Sequence, residues 1–352
     1  MSDISSQLIE QVQTALAAGT SIDIQGRGSK RFMGRIATGQ VLPVADHSGI
    51  VNYQPVELVM TARAGTPIAD INAALAEHNQ ELPCESPSLA GAATIGGTLA
   101  CGQSGPARPW RGSIRDLILG TRIINGKGEH LHFGGKVMKN VAGYDVSRLQ
   151  VGAMGTLGVI TEVSFRVLPK FAASVTLKQP MAASEAILTM NRLAAQATPL
   201  SAACWADNTL YLRLSGTRQA VNISATQLPG EFVAAPDDFW SRLREQQSSF
   251  FRGDDALWRF SIKSNAAHFM PEANWLIDWN GAQRWLRGDY DLNQLSELAA
   301  SAGGQVSLYR GGDRHSEVMH PLDPALKNLY RRIKQAFDPQ HLFNPGRLYG
   351  WL

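Results

Sequence analysis

The sequence predicts an α+β protein in two parts, and three observations carry that prediction. A length of 352 residues suits two domains, or one large α/β unit, at about 150 residues per domain. Short strand-like runs joined by glycine turns fill the chain up to about residue 170. Beyond it glycines thin out, tryptophans become common (Trp205, Trp240, Trp258, Trp275, Trp279, Trp285), and helices alternate with antiparallel-looking strands. A domain boundary is therefore expected near residue 170. With 44% apolar and 18% charged residues the chain can build a sizeable core and does not read as disordered. A formal charge of +3 is too slight for a nucleic-acid footprint.

The elements follow in order. Ile4, Leu8, Val12 and Leu16, spaced by four between a Ser2/Asp3 start and Gly19, predict an amphipathic helix. Ile22 and Ile24 alternate in a short strand, a glycine break runs through Gly28, and another strand ends near Val44. Glu57 to Arg63 reads as a strand. Gly65-Thr66-Pro67 then offers a turn, an N-cap hydroxyl and a first-turn proline to a helix carrying Ile68, Ile71 and Leu75. Asn125-Gly126, between β-rich runs from Leu117 to Phe133, predicts a hairpin. Val159 to Leu168 reads as a strand closed by Pro169, and Asp323 to Phe337 as a capped amphipathic helix before turns at Asp338-Pro339 and Asn344-Pro345-Gly346.

Ser86 to Ala107 is uncharged over 22 residues, the length of a membrane span. Five glycines and two prolines interrupt it, so it reads as a ligand-cradling loop region and no transmembrane segment is expected. Cys84, Cys101 and Cys204 form neither a disulfide framework nor a four-thiolate iron–sulfur site. The N-terminus lacks a basic-then-apolar leader, so a cytoplasmic location is expected.

Four glycine-rich segments precede residue 160: Gln25 to Lys30, Ala64 to Thr66, Thr94 to Gly97 running into Cys101 to Gly105, and Gly152 to Gly158. Glycine lets consecutive backbone N–H groups turn towards one point and lets a bulky anion approach, which makes phosphate the natural guest. Any one such segment alone is more often an ordinary turn; four in order are not. Walker and dinucleotide fingerprints are missing.

The R-G-S-like loop at Gly26 to Lys30, A-G-T-P-x-x-D-I at Ala64 to Ile71, L-P at Leu82-Pro83, T-I-G-G at Thr94 to Gly97, R-D-x-x-L-G at Arg115 to Gly120 and G-T-L-G-V-I-T at Gly155 to Thr161 together resemble the vanillyl-alcohol-oxidase, or p-cresol-methylhydroxylase-type (PCMH-type), FAD family. K-N-V-A-G-Y-D at Lys139 to Asp145 and F-N-P-G at Phe343 to Gly346 are similar to its D-2-hydroxyacid branch. The resemblance implies an α+β fold: a two-subdomain PCMH-type FAD-binding domain over 1–170, an α+β cap domain with an antiparallel sheet over 171–320, and a C-terminal helix and tail, 321–352, returning to the FAD domain. It implies that Gly26, Arg27, Gly28 and Ser29, with Thr94, Ile95, Gly96 and Gly97, embrace the FAD pyrophosphate through backbone N–H groups. Ser104 and Gly105 would lie by the ribityl chain and flavin. Gly158, Val159 and Ile160 would line the site, the last two offering backbone contacts to the adenine, and Asn344 would approach the isoalloxazine edge. Relatives that tether FAD use a histidine in the first loop; here Lys30 stands there and no histidine lies between Ser21 and Gly39, so non-covalent FAD is expected.

Catalytic members of the branch carry an H-x-H-x-G-D-x-N-x-H type cluster in the second domain, and none of the eight histidines here forms such a run. No catalytic residue is assigned and no metal is expected; His130 and His132 read as solvated rather than metal-bound. The resemblance implies a dependent subunit, weakly active alone, of an oxidoreductase taking electrons from a 2-hydroxy acid, glycolate, through flavin to an acceptor such as quinone. Its partners would be a catalytic FAD subunit and an iron–sulfur subunit, with any membrane association peripheral, at the inner face of the plasma membrane and through those partners. A non-catalytic FAD-holding assembly subunit and a stand-alone D-2-hydroxyacid oxidoreductase remain alternatives. Arg108, Arg111 and Arg115 with Trp110, and Lys136 and Lys139, read equally as anion or partner contacts beside the flavin or as solvated loop, with Arg115 paired to a carboxylate in the second case. Tyr144 and Asp145 are expected to fix the loop under the flavin. The tryptophan-rich second domain and the Pro106 to Arg115 loop are the expected partner surface.

Overall fold

The computed structural model describes residues 2–135 and 144–352. Lys136, Lys139 and most of the K-N-V-A-G-Y-D segment lie outside the described residues. The first part runs α1 (Ser5–Ala18), β1 (Ile22–Gln25), β2 (Gln40–Pro43), β3 (Ile50–Gln54), β4 (Val59–Arg63), α2 (Ile68–Ala76), β5 (Gln80–Glu81), α3 (Ile95–Cys101), α4 (Arg108–Arg111), α5 (Ile114–Leu117), β6 (Ile118–Ile124), β7 (His130–Gly134), α6 (Val146–Leu149), β8 (Val159–Arg166) and β9 (Leu168–Pro169). A five-stranded antiparallel sheet has the order β3-β4-β8-β6-β7, and β1 pairs in parallel with β2. These are two small subdomains sharing one core of aliphatic side chains, among them Leu8, Ile22, Met60, Ile71, Leu99, Ile123 and Phe165.

The second part runs β10 (Ala173–Pro180), α7 (Ala183–Ala194), β11 (Leu200–Ala206), β12 (Thr209–Gly216), α8 (Arg218–Gln227), β13 (Glu231–Phe232), α9 (Pro236–Arg244), β14 (Leu257–Ser261), β15 (Asn274–Asp278), β16 (Gln283–Arg287), α10 (Leu292–Ser301), β17 (Gln305–Arg310) and α11 (Pro324–Phe337). One eight-stranded antiparallel sheet, β13-β10-β12-β11-β15-β16-β14-β17, forms its centre. Its six tryptophans are all buried. Trp205, Trp240, Trp258, Trp275 and Trp279 each donate the indole N–H to a carbonyl or hydroxyl oxygen at 2.8–3.0 Å, which is how so large and partly polar a side chain enters a core. The partner surface expected of them is therefore not there; they are packing.

The tail closes the fold by returning to the first part. Ile22 donates its N–H to Leu342 O at 2.7 Å and accepts from Asn344 N at 2.8 Å, while Leu342 and Phe343 join the first core. Behind them the fully buried Lys334 Nζ meets Asp338 at 2.7 Å and donates to Thr156 O and Phe343 O.

Three local expectations change. Helix α1 begins at Ser5 because Asp3 Oδ1 takes both the N–H and the hydroxyl of Ser5. Thr66 does not cap α2: its hydroxyl lies 2.7 Å from Arg63 O and accepts from Gly49 N at 2.9 Å, leaving Pro67 as the flanking residue. The β6–β7 hairpin forms, but Asn125 accepts from Lys127 N and Glu129 N in a longer loop whose left-handed residue is Gly128. Gly126 is small for another reason, since a Cβ there would meet Asp338.

Candidate functional site: a glycine-walled cleft

The chain leaves β1 into Gly26 to Lys30, and this loop walls an open cleft of about 120 Å³. Gly28 holds φ +75°, a conformation that costs glycine little. Thr94 lies opposite, its Oγ1 accepting from Gly97 N at 3.2 Å. A Cβ on Gly26 or on Gly97 would come within 3.1 or 3.2 Å of that hydroxyl. The bare glycines therefore keep this wall at backbone thickness. The third wall is the Met154 to Gly158 loop, tied to the tail by Asn344. Its Oδ1 accepts from Ile24 N at 2.8 Å and its Nδ2 donates to Met154 O at 2.6 Å. A Cβ on Gly155 would strike the same amide.

The structure thus brings together, around one cleft, Gly26, Arg27, Gly28, Ser29, Thr94, Gly96, Gly97, Gly158, Ile160 and Asn344. Ile95 and Val159 are buried in the first core instead. Ser104 and Gly105 line a second, water-sized cavity of about 20 Å³ together with Asp278, Gln283 and Gln246.

Sequence reasoning passed over the most telling group in the cleft. Lys30 is only 6% exposed, and its Nζ has no hydrogen-bond partner among the described residues. Burial pushes its pKa below the ordinary lysine value, partly opposed by Cys101, Glu245 and Cys84 nearby. A buried ammonium without an acceptor is costly, so a ligand bringing negative charge or carbonyl oxygens fits this cleft. The available signal was a lysine standing inside a loop already singled out for its glycines. Arg347 was missed as well; it lines the cleft and clamps the loop by donating to Arg35 O and Arg31 O at 2.8 and 2.9 Å.

Other candidates are placed as follows. Arg108 is exposed and lies 4.5 Å from the Trp279 ring. Arg111 pairs with Glu81 and lies over Phe171. Arg115 is exposed and has no salt bridge among the described residues, while Asp116 is taken by the Ser113 capping box. Asp145 caps α6, accepting from Arg148 N at 3.2 Å, but Tyr144 is 95% exposed among the described residues. His130 is half-buried beside Thr161 Oγ1 at 2.9 Å, and His132 is exposed.

Comparisons with known proteins agree with this architecture. An FAD binding domain model matches residues 5–134, and the C-terminal domain model of FAD linked oxidases matches residues 277–348. The chain is 48% identical over 350 residues to the glycolate oxidase subunit GlcE of Escherichia coli strain K12, spanning 99% of each. It is 32% identical over 155 residues to the glycolate oxidase subunit GlcD of Bacillus subtilis strain 168, covering 44% of this chain and 33% of that one. In fold it is similar to alkyldihydroxyacetonephosphate synthase, with a TM-score of 0.65 at 14% identity over 97% of this chain and 75% of the other. This chain belongs to the FAD-linked oxidase family, within it to the group of the glycolate oxidase E subunit, and its cofactor is FAD.

Proposed function

We propose that this chain is an FAD-carrying subunit of a multisubunit oxidoreductase that converts glycolate to glyoxylate, working beside a catalytic FAD subunit, with electrons leaving through an iron–sulfur partner to an acceptor such as quinone. The observation that carries the reading is the unpartnered Lys30 ammonium in a cleft walled by glycines. Backbone N–H groups of Gly26 to Ser29 would hold the pyrophosphate, with Lys30 facing its charge or a carbonyl of the ring; those of Ile95, Gly96 and Gly97, expected to share that task, are already donated to Thr66 O, Ala64 O and Thr94 Oγ1, so that turn contributes a bare backbone wall. Ile160 and Val44 line the apolar stretch of the cleft, and Asn344 locks its two walls. FAD supplies the acceptance of two electrons. With lysine in the first loop the cofactor is held without a covalent bond.

The likeness to the glycolate oxidase subunit GlcE over nearly all of both chains supports the substrate. Cys84 and Cys204 are buried free thiols, Cys101 is half-buried, and burial pushes all three upward in pKa. That favours an iron–sulfur centre on another chain. No helix among the described residues is long and apolar enough to cross a membrane, so attachment to one would run through partners. Two of the apolar cores divide near residue 170 and support a boundary there, while a third joins Met33 and Met154 to Trp240 and Tyr309 and to Leu348 and Tyr349 across the spans 1–170, 171–320 and 321–352.

Anaerobic addition of glycolate to the FAD-loaded complex tests the reading. Bleaching of the flavin, with FAD then released into solution on denaturation, is expected; an unbleached flavin contradicts the substrate, and flavin retained on the precipitated chain contradicts the non-covalent site.

A further inference from the structure

The seam between the two parts of the chain carries an inference that rests on the glycine-walled cleft being the FAD site. The loop leading to the Thr94 wall has Leu89, Ala90 and Gly91 in succession at φ +50°, +63° and +74°. Glycine takes that conformation freely, whereas each residue with a side chain is disfavoured there roughly 5- to 30-fold. Glycine stands only at the third of these positions. Ala90 is exposed, so burial of its side chain does not hold it. The loop needs an outside constraint.

That constraint comes from the second part. Glu245, the residue that ends α9, turns its carboxylate onto the loop. Its Oε2 accepts from Ser88 N at 3.0 Å and from Leu89 N at 2.6 Å, while its Oε1 lies 3.2 Å from Ser88 N and accepts from Arg244 Nε at 2.8 Å. No other side chain is hydrogen-bonded to residues 88–92 among the described residues. The carboxylate is itself held still, because Glu245 N donates to Ser241 O at 2.8 Å and Trp240 and Leu243 anchor α9 in the core. A hydrogen bond to a charged acceptor favours its conformation roughly 10- to 150-fold, so two of them offset two left-handed residues. From the loop the constraint passes to the cleft: Ala93 N donates to Ser88 O at 3.2 Å, Ala93 O accepts from Ile68 N at 2.9 Å, and Thr94 bridges to Pro67. Thr94 is the residue whose hydroxyl a Cβ on Gly26 or Gly97 would meet. Glu245 is also near enough to Lys30 to oppose the fall in that lysine's pKa.

We propose that Glu245 is a positioning residue of the cofactor cleft: from the second part it latches the 88–91 loop of the first in its left-handed form, and the Thr94 wall is shaped for FAD only while that latch is closed. The apparent affinity for FAD then scales with the fraction of chains whose loop is latched. Coupling runs both ways, so bound FAD must in turn steady the loop. The second part thus has a task in holding flavin that is separate from any contact with substrate.

Titration of the deflavinated full chain with FAD tests the latch. Glu245→Ala should bind FAD about 10-fold more weakly, because only the latched fraction is competent, with an unchanged circular dichroism spectrum. Glu245→Gln keeps an oxygen for Ser88 N and Leu89 N and should stay within about threefold of the wild type. Adding Ala90→Gly to Glu245→Ala should recover about threefold or more, since glycine removes a left-handed cost; a general loss of stability would not be repaired at that position. In the wild type, and so independently of how any variant folds, amide exchange at Ser88 and Leu89 should slow when FAD is added. Equal affinity in the wild type and E245A, an E245Q chain as weak as E245A, a loss that Ala90→Gly does not restore, or exchange indifferent to FAD would each overturn the latch. Weaker FAD binding by Lys30→Met beside unchanged binding by E245A overturns the latch alone and leaves the cleft as the cofactor site. A wild-type chain that takes up no FAD overturns that reading of the cleft and this inference with it.

Discussion

The glycine-walled cleft and the eight-stranded sheet handle buried charge in opposite ways. In the cleft the wall is backbone, kept thin by glycines facing Thr94, and the unpartnered group is a cation, Lys30. On the sheet side the wall is large side chains with satisfied indole N–H groups, and the group short of partners is a carboxyl, Asp278. The contrast separates a thin wall open to an anionic ligand from a packed wall that keeps a carboxyl out of water.

The sharpest way to break the comparison is to titrate the sheet side. Asp278 has its pKa raised from 3.8 to about 7. Its contribution to stability is therefore fully present below the unfolded value and is lost as pH rises through the folded one. Asp278→Asn should flatten that slope, with the wild-type-minus-variant difference in urea unfolding free energy changing by up to about 4 kcal/mol between acid and mildly alkaline pH. Parallel pH profiles would show that the carboxyl titrates normally.

On the cleft side, Gly97→Leu should weaken FAD binding on the order of 100-fold, about 2.7 kcal/mol. Gly97 sits within α3 without a positive φ, so leucine is conformationally acceptable there, and its Cβ would meet Thr94 Oγ1 at the cleft wall. Flavin absorbance per chain, with circular dichroism as the control, measures this. Full occupancy with an unchanged spectrum would remove that wall from the site.

The smallest effect belongs to the α4 arginines. Arg108→Ala removes an exposed cation–π contact worth about 0.5–1 kcal/mol, so thermal unfolding should barely move. Arg108→Ala with Arg111→Ala, which also breaks the Glu81 pair, should lower co-purification with partner subunits. An unchanged partner yield would make this loop ordinary surface.

The division of labour explains what could be read in one dimension. Gly26, Gly28 and Gly97 were legible because their requirement is local: a turn, or a close approach of backbone. The strands before residue 170 were legible for the same reason, by alternation and turn residues. Thr66 was misjudged because a contact to Gly49, 17 residues away, outcompeted the local cap. The tryptophans were misjudged because aromatic residues serve cores and interfaces alike, and only their burial in the fold decides. Asp278 lay hidden in an apolar strand. Its environment is made by Glu85, Arg213 and a strap reached through a hydrogen bond spanning 174 residues, which no sequence pattern reports.

The central claim, that the glycine-walled cleft holds FAD through a cation awaiting an anion, is tested most directly at Lys30. Deflavinated wild type and Lys30→Met should be titrated with FAD by flavin fluorescence, and the same apo chains melted. A charge-assisted hydrogen bond contributes about 1.5–3 kcal/mol, so the variant should bind FAD roughly 10- to 100-fold more weakly while its apo form melts no lower, having lost an unpaired buried ammonium. Equal FAD affinity in the two chains would contradict the assignment of Lys30 and, with it, of this cleft as the cofactor site.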